Sequence, residues 1–111
     1  MPLDYDYLQR EGIEIMYGLT FDLDTNLLHD DYNISRSKAY SIIDKELSSL
    51  GFVHLQCSMY VLQNPKSGMN FLFDIDEQLG QYEWFNACVR DIVTFKLEDW
   101  SELTGRFKKK L

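Results

Sequence analysis

Residues 17–24, YGLTFDLD, constrain the fold more than any other stretch of the chain. Tyr17, Leu19, Phe21 and Leu23 alternate with Gly18, Thr20, Asp22 and Asp24. A period of two over eight residues is the signature of a β-strand with one buried face. The apolar face has to be covered, whereas the small and polar face can stay open. The strand therefore carries Asp22 on the uncovered side, at its C-terminal end.

The remaining elements follow from local signals. Thr25 to Asn33 is polar and carries no clear period. Ser35 suits a helix N-cap, Tyr40, Ile43, Leu47 and Leu50 recur at helical spacing, and Gly51 suits the position just past the helix end. Phe52–Gln63 is long for a single strand and splits into a hairpin at Cys57–Ser58. Asn64 to Gly68 is a loop signal. Met69, Phe73, Ile75 or Asp76, and Leu79 indicate a second helix, Val89–Leu97 alternates as a strand, and residues 99–110 suit a short terminal helix with a basic end, Lys108-Lys109-Lys110.

The order β-α-β-β-α-β predicts an α+β, ferredoxin-like fold: one four-stranded antiparallel sheet, strand order 4-1-3-2, with helices on one face and a short C-terminal helix. In that topology the first strand is central. Its C-terminal end meets the beginnings of the third and fourth strands, which places Asp22 near Ser58 and near Arg90-Asp91. Asp91 shares parity with Val93 and Phe95, which read as a core face and would give Asp91 a structural role.

The chain has 111 residues, enough for one domain, and no apolar run long enough to span a membrane. Residues 1–15 are acidic, without the apolar core of a secretion signal. They read as an N-terminal extension outside the fold, with the single domain at 16–111. Arg10-Glu11-Gly12 can be encoded by a purine-rich stretch resembling a ribosome-binding site, which fits a domain that begins at Met16. Cys57 and Cys88 lie in apolar contexts with no metal-type spacing, as reduced core thiols of a cytoplasmic protein would. The net charge of −7 argues against a broad basic groove for nucleic acid, although a local basic site on a dimer is still compatible with it.

Several constellations could carry chemistry. An antiparallel sheet with one open face often buries that face against a twin, and a two-fold axis would then bring two copies of Asp22 together to share Mg²⁺ or Mn²⁺, or to move a proton. Ser58 could orient a phosphate or a water. Tyr60, two residues on, would share its face and contact substrate. Lys38, beside Arg36 at the start of the first helix, and Arg90 are the local cations for a phosphodiester. His29 and His54 have no sequence signal that pairs them. Tyr82, Trp84 and Phe85 read as core. FDLDTNLL resembles the first motif of haloacid-dehalogenase-type phosphatases, with Asp22 as nucleophile and Asp24 as acid/base. That pattern, however, has Gly where Thr25 stands, and it belongs to a parallel sheet.

From Met16 onward the pieces MYGLTFDLD, SKAYSIIDKELSSLGF, QCSMYV, EWFNACVRDIVTFKLED and WSELT resemble, in order and spacing, the virulence-associated protein D (VapD) family of small bacterial ribonuclease toxins. The resemblance implies a ferredoxin-like homodimer that cuts single-stranded or looped RNA. It also implies a toxin–antitoxin or persistence role, a possible protein antitoxin as partner, and no membrane partner. Asp22 is implied as the principal catalytic residue, with Ser58 and Asp91 contributing. The rival reading from another class is a non-catalytic dimeric interaction module.

Overall fold

A computed structural model describes residues 16–63 and 70–97. The sheet has four strands: β1 (Met16–Leu23), β2 (Val53–Gln56), β3 (Met59–Gln63) and β4 (Val89–Leu97). They lie in the order β2-β3-β1-β4, every neighbouring pair antiparallel. Read from the other edge this is 4-1-3-2, the ferredoxin-like order expected. The sheet is not the parallel, doubly wound scaffold on which the phosphatase reading depends.

Four helices connect the strands: α1 (Thr25–Tyr32), α2 (Arg36–Ser49), α3 (Phe71–Gly80) and α4 (Glu83–Cys88). α2 begins where Ser35 Oγ accepts the Lys38 N–H at 3.1 Å. It buries Ala39, Ile43 and Leu47 and stops at Gly51, whose φ of 97° favours a residue without Cβ. α1 was not expected. Asp24 caps it, accepting the Leu27 N–H at 3.0 Å, and Asn33 closes it in the left-handed conformation at φ 52°. Leu28 is the only fully buried residue of this helix, so its amphipathic signal is weak. The six-residue α4 was also unexpected. It carries Trp84, Phe85 and Cys88 into the core, the aromatic pair as anticipated.

The main core fills the space between helices and sheet, with Leu19, Phe21, Leu23, Tyr60 and Leu62 from the strands meeting Leu28, Ile43, Leu47, Ile75 and Leu79. The other face has a smaller apolar cluster, Met16 and Val61, with Val53, Leu55 and Leu97 against it. Gly18 is paired with Phe95, and the ring lies so close that a Cβ on Gly18 would stand 2.5 Å from it. Residues 1–15, 64–69 and 98–111, including the expected extension and terminal helix, lie outside the described residues. Among the described residues no helix is long and apolar enough to cross a membrane.

Candidate active site

β1 pairs with β4 as far as Asp22 opposite Asp91, but with β3 only as far as Thr20 opposite Met59. Directly opposed residues point to the same side of a sheet. Asp22 and Asp91 therefore stand together on the face opposite Leu19, Phe21 and the helices, and both are exposed. Their Cβ atoms are on the order of 5 Å apart in such a pair. This corrects the inference from parity in β4. Val93 and Phe95 share a face with Asp91, but it is the open face, where Val93 is 51% exposed and Phe95 covers Gly18. Ile92, opposite Phe21, is on the helix side.

A register shift follows Asp22, because Leu23 pairs with Val89 and leaves Arg90 outside the ladder. Arg90 extends its guanidinium to 3.8 Å from Asp24 Oδ2 and remains 59% exposed, so most of its donors face solvent. Asp24 has three contacts at this corner. Its N–H donates to the Cys88 carbonyl at 2.7 Å, one carboxylate oxygen caps α1 and the other faces Arg90. An Asp in that position fixes the strand-to-helix corner. Burial, followed by the charge of Asp24, pushes the neighbouring Cys88 thiol above its usual range. Cys57, expected in the core, is exposed instead.

Ser58 lies in the two-residue turn between β2 and β3, one position beyond the last β1–β3 pair and hence beside the end of β1 that carries Asp22. Tyr60, two residues on, points into the core. It pairs with Leu19, is 1% exposed, and donates its hydroxyl to Asp44 Oδ1 on α2 at 2.9 Å. Burial first, then this bond and the charge of Asp44, hold its phenol well above the ordinary range. Lys38 is exposed on the first turn of α2. Among the described residues no hydrogen bond or ion pair ties its ammonium to the Asp22 end of the sheet. Arg36 beside it lies 4.7 Å from the centre of the Tyr40 ring.

The structure thus unites Asp22 with Asp91 and brings Ser58 and Arg90 to the same rim; Tyr60 points into the core. Sequence reasoning gave no part in this rim to His54. Its ring stacks on Tyr60 and its Nε2 meets the Cys57 carbonyl, and its spacing of three residues from the turn was the one available cue.

No family model matches the chain. Among curated proteins, Endoribonuclease VapD of Helicobacter pylori is 39% identical over 89 residues, which is 80% of this chain and 95% of that protein. Endoribonuclease VapD of Dichelobacter nodosus is 36% identical over 93 residues, 84% of this chain and 98% of that protein. A VapD homolog of Neisseria gonorrhoeae, also named an endoribonuclease, is 36% identical over 93 residues, covering 84% and 99%. Likeness at this level over almost the whole of each relative, on a sheet whose strand order matches the expected one, establishes that the chain belongs to the VapD family.

Proposed function

We propose that the protein is an endoribonuclease whose reaction is centred on the Asp22–Asp91 pair. The observation that carries this reading is the placement of two exposed carboxylates opposite one another on the uncovered sheet face, at the strand end where a serine-bearing turn and a solvent-facing arginine converge. The names of the relatives supply the reaction class.

Cleavage of a phosphodiester needs a base for the attacking oxygen, donors to the phosphate and neutralisation of the charge that develops. Asp22 takes the proton from the attacking hydroxyl or water. Ser58 Oγ donates to a non-bridging phosphate oxygen, and Arg90 offsets developing negative charge with the donors that Asp24 leaves free. Lys38 can reach the flanking backbone of a substrate.

The donor set also fits Mg²⁺ or Mn²⁺. Such ions commonly take one or two protein carboxylates and keep waters for the rest, so Asp22 and Asp91 suffice without the cluster of three or more acidic or imidazole ligands that is absent among the described residues. When bound, the ion supplies Lewis-acid polarisation and a more acidic water.

The open face carries apolar surface from Val93, and a second copy of the chain is the partner that would cover it, completing a homodimer with two rims. In a bacterial cytoplasm such an activity serves as the toxin of a toxin–antitoxin or persistence system, held in check by a protein antitoxin.

The test is cleavage of a defined RNA by the purified protein with Mg²⁺, with Mn²⁺ and with chelator, beside Asp22→Ala. Cleavage lost in Asp22→Ala supports the reading, and equal rates refute it. The net charge of −7 favours a second reading, a dimeric module without chemistry. RNA left intact under all three conditions by a folded dimer would establish that one instead.

A further inference from the structure

We infer that His54 is a positioning residue for the turn that carries Ser58, clamping that turn to the core through Tyr60 and Asp44. The inference rests on the ribonuclease reading above and extends it to a residue that touches neither RNA nor the carboxylate pair.

The β-ladder alone does not fix the turn. Pairing between β1 and β3 ends at Met59, so Ser58 has no ladder partner in β1. On the other side a register shift falls between His54 and Gln56, which leaves Leu55 out of step with β3. Cys57 adds strain, because its φ of 44° is a left-handed conformation that a residue with a Cβ rarely adopts. The Gln56–Met59 pair closes the hairpin, but beyond it the two turn residues have no ladder partner and the tip is strained, so their conformation relaxes unless something else holds it.

The imidazole of His54 supplies that hold on three sides. Its Nε2–H donates to the Cys57 carbonyl, which fixes the peptide leading into Ser58. Its face lies on the Tyr60 ring, centroids 4.6 Å apart and planes 21° from parallel. Its Nδ1 lies 3.7 Å from Asp44 Oδ1, the same oxygen that accepts the Tyr60 hydroxyl at 2.9 Å. Tyr60 is a rigid post, 1% exposed and stacked at 6.2 Å against Phe21, the β1 residue before Asp22. A continuous run of contacts therefore joins the strand that ends in Asp22 to the turn that bears Ser58. The consequence is that Ser58 Oγ is held at a fixed place relative to Asp22, through a hydrogen bond that any side chain with an N–H at the Nε2 position could make.

The experiment compares kcat and KM for a short RNA substrate among full-length wild type, His54→Ala, His54→Asn, His54→Gln and Ser58→Ala, with Asp22→Ala as the control for the reaction itself. Misplacing a catalytic group by about 1 Å can cost up to roughly a hundredfold, so His54→Ala is expected to lower kcat by about ten- to a hundredfold with KM little changed. His54→Gln, whose amide N–H reaches the Nε2 position, should recover most of kcat, whereas His54→Asn, whose amide is too short, should not. Both amide variants lose the ring that stacks on Tyr60, so their melting temperatures should fall alike and only kcat should separate them.

Wild-type kcat in His54→Ala overturns the inference, as does equal impairment of the Gln and Asn variants. Full activity of Ser58→Ala also overturns it, since the place of that hydroxyl would then be immaterial. Full activity of Asp22→Ala instead refutes the ribonuclease reading on which it rests. If His54→Ala does not fold, the comparison of Gln with Asn decides the matter by itself.

Discussion

The Asp22–Asp91 pair carries a stability cost that can be measured without any substrate. Like charges directly opposite in an antiparallel ladder destabilise by roughly 0.2–1 kcal/mol. Both residues are exposed, so solvent and salt screen the repulsion towards the lower half of that range. Among the described residues, neither carboxylate accepts a hydrogen bond or joins an ion pair that a substitution would break. Asp22→Asn and Asp91→Asn should therefore each stabilise the fold in the absence of divalent ions, by about 0.3–0.5 kcal/mol. For a domain near this size that raises the melting temperature by roughly 1–4 °C. The double variant should gain little beyond either single, because the first substitution already removes the repulsion.

Thermal unfolding of the four proteins at low salt, repeated at about 1 M NaCl, closes the cycle, and at high salt the differences should shrink towards zero. Addition of Mg²⁺ or Mn²⁺ should reverse the order by raising the wild type and leaving the double variant unchanged. Strictly additive stabilisation, or destabilisation by either single substitution, would mean that the two carboxylates do not face each other, and the site described here would be wrong.

Three further outcomes follow from single residues. Asp24→Ala removes the α1 cap and the Arg90 partner and should cost about 1–2 kcal/mol in urea unfolding while leaving a generic phosphate monoester unhydrolysed, as it is with the wild type. Gly18→Ala sets a methyl against the Phe95 ring and should cost about 1–3 kcal/mol, with Phe95→Leu in the same chain recovering part of it. Tyr60→Phe should cost about 1 kcal/mol near neutrality. It should also flatten the alkaline limb of the stability curve. The folded phenol holds its proton above the ordinary value of 10.0, so the wild type keeps its full stability below about pH 10 and loses up to ~1.4 kcal/mol per pH unit as pH rises above it.

The parts of the fold that were legible in the sequence are those where one signal dominates. Leu19, Phe21 and Leu23 alternate against small or polar neighbours, and Ser35 and Gly51 bracket α2 at positions that demand their chemistry. α1 was missed because eight residues with a single buried leucine carry too little periodicity, although Asp24 and Asn33 were sound cap residues on either side. The face of Asp91 was misread because the more apolar face of β4, with Val93 and Phe95, is the open one, whereas the helix side carries Ile92 with Thr94 and Lys96. Hydropathy in β4 alone points the wrong way, and pairing with Gly18 and Asp22 decides it. Tyr60 was expected to contact substrate, but its pairing with Leu19 turns it into the core, where its hydroxyl reaches Asp44. The end of β1 stands beside the starts of β3 and β4 as expected, because that placement depends on strand order alone and not on side-chain parity.

The excess of acid looks like an obstacle for a protein that handles RNA, and the distribution of charge removes most of it. Asp30, Asp31, Asp74, Asp76 and Glu77 lie on α1 and α3, on the far side of the sheet from the Asp22 face. On the open face the residues from β1 and β4 are Met16, Gly18, Thr20, Val93, Phe95 and Leu97 besides the paired carboxylates, so among the described residues of these two strands the acidity there is confined to Asp22 and Asp91. On the function proposed above, RNA would be held by few ionic contacts, from Arg90 at the end of the sheet and Lys38 at the start of α2. Each phosphate neutralised on a single strand contributes a slope of about 0.7 in log affinity against log salt. At fixed divalent concentration, KM should therefore rise with NaCl with a logarithmic slope of about 1–2. Arg90→Gln should lower that slope by about 0.7. A slope above about 4 in the wild type would show that the RNA is held by a cluster of cations away from this face, and the open sheet would then not be the substrate's docking surface.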